Sequence, residues 1–255
     1  MRGTVRRQTF FLGRLFGVRV GVHVSWLAVY AFMTVVLARG LAGLPVAQAY
    51  GLGALCALML FISVVAHEFA HALVARRFGV RTRTIRLFLF GGVAELETEP
   101  GTPRADAVIA AAGPAMSALL GVLALAATFA IDRYVPGGFG SALGGLGTYI
   151  ALVNGVLAVF NLIPAYPMDG GRVLRAALWQ RGHDRRTATI AASRVGMAFA
   201  LVFVGAGVLA AVGLRDPSYA WSALMGAFLL RQSWSQARAL RTSGRTSSGE
   251  LPAPA

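Results

Sequence analysis

His67-Glu68-Phe69-Ala70-His71 sets two imidazoles four residues apart with a carboxylate beside the first. At 3.6 residues per turn, positions i and i+4 lie about 40° apart on one helix face, so both rings can reach a single metal ion. Glu68 stands next to that face, where a carboxylate can accept the proton of a metal-activated water. The plainer alternative is a pair of histidines packed between helices with the glutamate as their hydrogen-bond partner. Neither packing nor hydrogen bonding would demand this spacing at such a desolvation cost. A catalytic zinc takes three protein ligands and keeps one position for water. The extended pattern with a further histidine six residues on is absent, because Arg77 stands there, so the third ligand must be an acid further along: Glu95, Glu97, Glu99, Asp106, Asp132, Asp169, Asp184, Asp216 or Glu250.

The elements that must carry these groups are membrane spans. The chain is 56% hydrophobic and 13% charged over 255 residues, where a soluble domain carries about 25% charged residues. Uncharged stretches long enough to cross a bilayer predict an all-α polytopic membrane protein of about six transmembrane helices, near 20–38, 48–75, 106–131, 145–165, 190–214 and 217–238. The glycine-rich stretch from Gly137 to Gly147 reads as a loop ahead of the fourth span, and Asp106 as the N-cap of the third. Residues 1–240 form a single domain, followed by a disordered cytoplasmic tail at 241–255 whose composition is rich in Ser, Gly and Pro.

All 24 basic residues are arginine, against 10 acidic ones, for a net charge of +14. The arginines cluster before the first span, between the second and third, between the fourth and fifth, and after the sixth. That distribution sets topology rather than binding nucleic acid, and it predicts a multi-pass plasma-membrane protein with cytoplasmic N- and C-termini. The lone Cys56 excludes a disulfide framework and a cysteine zinc site.

In this topology the second and fourth spans run in the same sense, so His67, His71 and Asp169 reach similar depths near the cytoplasmic face. Pro164, Pro167, Gly170 and Gly171 surround Asp169 and predict a helix break there, which at membrane depth is tolerated only around a protein-lined or watery cavity. A helix N-cap is the simpler role for Asp169. Between the second and third spans, Thr84–Phe90 and Val93–Glu97 flank Gly91-Gly92, the signal of a small membrane-associated β-hairpin. An edge strand there could receive an extended substrate by β-augmentation at Gly91 and Gly92. His183, in an arginine-rich loop, reads as solvated and His23 as packed or interfacial.

HEFAH on an early span together with NLIPAYPMDGGRVLRA on a later one resembles the site-2 protease family of intramembrane zinc metalloproteases, peptidase family M50. Gly91-Gly92 and Ala112-Gly113-Pro114 are similar to further family features, and His23 in GVHVSWL matches the branch without a PDZ insertion, here also without CBS domains. The resemblance implies that His67, His71 and Asp169 bind one Zn2+ per chain, that Glu68 is the catalytic base, and that Asn161 helps hold substrate. It implies cleavage of transmembrane segments of single-span membrane proteins, such as an anti-sigma factor or a membrane-tethered regulator, in regulated intramembrane proteolysis. A catalytically silent scaffold of the same fold and a metal transporter are the rivals. The first has no use for Glu68, and the second needs a ladder of polar positions that spans one, three and five lack.

Overall fold

A computed structural model describes residues 9–41, 43–88, 91–216 and 219–246. Four strands and seven helices follow in the order β1 (Thr9–Leu15), β2 (Val18–His23), α1 (Val24–Arg39), α2 (Val46–Arg77), β3 (Thr82–Phe88), β4 (Gly91–Leu96), α3 (Pro103–Tyr134), α4 (Gly138–Leu162), α5 (Asp169–Gln180), α6 (Arg185–Gly213) and α7 (Ala220–Thr246). The chain divides into two compact units. One comprises residues 1–100 and 112–159, the other 101–111 and 160–255.

In the first unit the strands form one sheet in the order β1-β2-β3-β4, with β2 and β3 parallel and the outer pairs antiparallel. The expected hairpin is therefore half of a larger sheet. The other half comes from a segment assigned to the basic N-terminal flank and the start of the first span. In β2, Val18, Val20 and Val22 are buried; between them Arg19 is exposed, as the two-residue alternation of a strand expects, and Gly21 is covered by Thr9 and Phe11 of β1. Together with Ile85 of β3, Val18 and Val20 pack on Phe69 and Ala72 of α2. Counting apolar residues merges this strand with the helix behind it, which leaves α1 only 16 residues long. His23 closes the strand and caps α1, its Nδ1 accepting the backbone N–H of Ser25 at 3.2 Å. Gly53 lets α2 approach α1 closely, since a Cβ there would lie 2.7 Å from the Thr34 carbonyl oxygen.

Two further expectations change in this unit. Gly91 and Gly92 lie inside β4, opposite Phe88 and Leu87, and are not the turn; the residues between the strands, 89–90, fall outside the described set. Of the glycine-rich front of the fourth span, Gly137 turns the chain with a φ of +92°, and the rest, from Gly138 on, is helical and belongs to α4. Its glycines bring α4 against α3: a Cβ at Gly144 would lie 2.6 Å from Asp132 Oδ1, and one at Gly147 would collide with Thr128 Oγ1. Small residues at such contacts let helix backbones pack tightly where no hydrophobic effect drives them together.

In the second unit α6 and α7 pack through the same device. A Cβ at Gly207 would lie 2.5 Å from the Ala223 amide nitrogen, and one at Gly226 2.7 Å from Val204. The helix α7 runs on to Thr246, so residues 241–246, expected in the tail, are helical; 247–255 lie outside the described residues. Thr102, not Asp106, caps α3, its hydroxyl accepting the Ala105 N–H at 3.2 Å.

Among the described residues four helices are long and apolar enough to cross a membrane: 46–77, 103–134, 140–162 and 185–213. These match the second to fifth expected spans. Of the other two, α1 is a shorter apolar helix, and α7 is not among the four.

Candidate metal centre

Helix α2 runs on past its apolar stretch, so its last turns carry chemistry into the protein interior. His67 and His71 are 3% and 5% exposed, and their Nε2 atoms face each other at 3.2 Å with the rings at 78°. Two nitrogens bound to one tetrahedral zinc at about 2.0–2.1 Å would be about 3.3 Å apart, so the pair already has the spacing that this ion requires. His67 Nδ1 lies 3.0 Å from the fully buried Ser117 Oγ on α3. A hydroxyl accepting from Nδ1–H fixes the tautomer whose Nε2 presents a lone pair.

A second observation fits an ion here. A Cβ at Gly113 on α3 would lie 2.5 Å from His67 Nε2 and would collide with His71 Nε2. The helix thus carries a glycine where the two ring nitrogens converge, and any other residue would fill that space with carbon.

Glu68, half-buried, lies against the sheet. A Cβ at Gly92 would meet its Cδ at 2.8 Å and Oε1 at 2.9 Å, so the glycine of β4 permits the carboxylate to lie on the strand backbone. This is the close approach for which a strand interior uses glycine. In the order of the sheet, β4 is an edge.

Asp169, 9% exposed, opens α5 in the second unit. The chain leaves α4 at Leu162, passes a cis Tyr166–Pro167 peptide and enters α5 with Met168 as the N-cap. Asp169 is therefore not the cap. The glycines that follow it let the loop fold back onto the helix start: a Cβ at Gly170 would collide with the carbonyls of Leu162 and Ile163, and one at Gly171 with the Tyr166 amide. The Tyr166 carbonyl in turn accepts the Ser233 hydroxyl of α7 at 2.5 Å. Arg172 Nη1 lies 3.7 Å from Asp169 Oδ1. Asn161 occupies the last turn of α4, half-buried.

Two rival acids are engaged elsewhere in the sheet. Glu95 pairs with Arg86 at 3.1 Å and Glu97 with Arg83 at 3.7 Å. His183 is exposed.

Sequence reasoning missed the polar residues that support the site. Asn154 on α4 is fully buried and donates to Ser63 Oγ and to the Ile150 carbonyl, both at 2.9 Å, while its Oδ1 is buried without a partner. Ser63 is one turn before His67. A lone amide in the middle of an apolar span was a legible signal, since such groups seldom sit at membrane depth without a role. Ser117 gave no such signal. Asp106 and Arg175, read as a cap and a topological charge, form a buried pair.

The comparisons with known proteins came out as follows. Residues 55–144 and 140–203 match the description "Peptidase family M50". The protein sll0528 of Synechocystis is 39% identical over 232 residues, 89% of this chain and 59% of its own length. Rip3 of Mycobacterium tuberculosis is 40% identical over 237 residues, 88% of this chain and 57% of its own. Both are described as zinc metalloproteases, and this chain spans just under three fifths of each. The solved site-2 protease from Methanocaldococcus jannaschii superposes with a TM-score of 0.60 at 27% identity, covering 90% of this chain and 95% of that one.

Proposed function

Because this chain belongs to peptidase family M50, we propose that it is an intramembrane zinc metalloendopeptidase that cleaves transmembrane segments of single-span membrane proteins. The observation that carries this reading is the convergence of the His67 and His71 Nε2 atoms, 3.2 Å apart, on the space that Gly113 leaves open. His67, His71 and Asp169 would hold one Zn2+, each offering one ligand atom. Two imidazoles and a carboxylate suit zinc and leave room for water. The ion would supply Lewis-acid polarisation of the scissile carbonyl and activation of water.

The chain's own residues do the rest. Glu68, beside the histidine face, accepts the proton of the attacking water and returns it to the leaving amine. A peptide bond in a transmembrane helix is shielded by its own side chains, so substrate must unwind before attack. The edge strand β4 offers a place to hold the unwound segment: its Gly91 and Gly92 would receive substrate by β-augmentation next to Glu68. Asn161 would donate a hydrogen bond to substrate. The four apolar helices and the exposed Phe10, Phe11, Leu12 and Leu15 of β1 support residence in a lipid bilayer. A cell membrane with cytoplasmic termini is the orientation favoured by the arginine distribution. An anti-sigma factor or a membrane-tethered regulator fits the substrate class.

The test is zinc content and cleavage of a single-span reporter by wild type, Glu68→Gln and Asp169→Ala. The expected pattern is zinc without cleavage in Glu68→Gln and loss of zinc in Asp169→Ala. Cleavage by Glu68→Gln at the wild-type rate would overturn the mechanism. Wild type that binds zinc but cleaves no reporter would favour the silent scaffold.

A further inference from the structure

Asp106 stands in the first turn of α3 yet does no capping. Its carboxylate is fully buried and takes both forks of Arg175, Nε at 2.8 Å and Nη2 at 2.7 Å. One turn before Arg175, Arg172 lies 3.6 Å from Asp106 Oδ1 and 3.7 Å from Asp169 Oδ1. Two carboxylates and two guanidiniums thus form one balanced cluster at the start of α5. A buried ion pair seldom outweighs its own desolvation, and apolar side chains would join two helices at lower cost. What a bidentate guanidinium–carboxylate pair adds is fixed orientation.

We propose that Asp106 is a positioning residue for the carboxylate of Asp169: through Arg175 it fixes α5 against the start of α3, and through Arg172 it holds the Asp169 side chain in its ligating orientation. This rests on the reading of Asp169 as a zinc ligand. The place of Asp106 on α3 gives the arrangement its purpose. Asp106, Gly113 and Ser117 are separated by seven and four residues, within about 20° of one line along a helix. Gly113 and Ser117 are the two residues that seat the imidazoles. Asp106 thus falls on the line of α3 that further along carries the residues seating the histidines. Outer partners of this kind orient metal ligands, and their loss commonly weakens metal binding about 10- to 100-fold.

Zinc affinity is measured by chelator competition on detergent-purified full chain, for wild type, Asp106→Asn, Arg172→Gln, Asp169→Ala and the control Arg181→Gln at the far end of α5, with the thermal unfolding of each apo protein alongside. The expected result is zinc binding weakened about 10- to 100-fold in Asp106→Asn and Arg172→Gln, an apo unfolding midpoint for Arg172→Gln close to wild type, and no change in Arg181→Gln. Asp106→Asn that is less stable yet binds zinc like wild type would show a purely structural pair and overturn the proposal. If Asp106→Asn does not fold, Arg172→Gln decides by itself: wild-type affinity there overturns the proposal. In either case loss of zinc in Asp169→Ala leaves the ligand assignment standing, whereas Asp169→Ala with wild-type affinity overturns that assignment and the proposal with it.

Discussion

Replacing Gly113 with alanine adds one methyl group where two imidazoles converge. That methyl would lie 2.5 Å from His67 Nε2 and 2.6 Å from His71 Cε1, whereas ordinary contact begins at 3.4 Å. The His67 ring, or the helix, must retreat by about 0.9 Å and His71 Nε2, which lies nearer still, by more, while a metal site tolerates about 0.2 Å in its ligand distances. The ion would lose its geometry at two ligands at once, so zinc affinity is expected to fall by more than about 100-fold, beyond the usual effect of an outer-shell change. Stability should move far less. Alanine in a helix interior gains roughly 1 kcal/mol over glycine, and overpacking costs about 1–3 kcal/mol, leaving a net loss of about 0–2 kcal/mol. Chelator competition gives the affinity, and thermal unfolding of the apo protein gives the stability. A folded Gly113→Ala protein that binds zinc as wild type does would refute the reasoning, because the space at Gly113 would then have no bearing on the ion.

Three further outcomes follow from neighbouring contacts. Ser117→Ala removes the partner of His67 Nδ1 and frees the ring to change tautomer, so zinc binding should weaken about 10-fold or more with cleavage recovering at saturating zinc; the readout is activity against zinc concentration. Gly92→Val thrusts a branched side chain into Glu68, and should abolish reporter cleavage while zinc content stays at the wild-type level; retained cleavage would count against the placement of Glu68 on β4. Asp184 caps α6, and hydrogen bonds from the Thr187 side chain and backbone hold its carboxyl below the usual value of 3.8. A carboxyl depressed in the folded state lends stability that is present above its unfolded value and lost as pH falls through the folded one. The gap in unfolding temperature between wild type and Asp184→Ala should accordingly be open at neutral pH and close on acidification; a gap that persists below that range would refute the cap.

The candidate site was legible because its residues are chemically conspicuous where they stand. Two histidines and a glutamate in an apolar run, and an aspartate among prolines and glycines, need no tertiary information to be noticed. The supporting residues needed it. Asp106 and Arg175 are 69 residues apart, and each had a sufficient local explanation, one as a cap and one as a flanking charge. Glycine misled twice for the same reason. At Gly144, Gly147 and Gly92 the residue makes room for a neighbouring side chain rather than a turn, and that use is visible only once the neighbour, on α3 or at Glu68, is in place. In β2 the alternation V-R-V-G-V was present in the sequence, but hydropathy averaged over a span length erases a period of two.

The parallel pairing of β2 with β3 imposes a parity on the chain. Strands joined in register as Val20 to Ile85 and Val22 to Leu87 lie on the same side of the bilayer, so everything between them is a closed excursion. Whatever crossing α2 makes, α1 must undo. Its 16 residues reach about 24 Å, short of a hydrocarbon core of about 30 Å. The deficit falls where Tyr30, Trp26 and the close α1–α2 contact at Gly53 bind the shorter helix to the longer one. The sheet thereby fixes where the excursion through α1 and α2 begins and ends, a constraint that hydropathy alone does not carry.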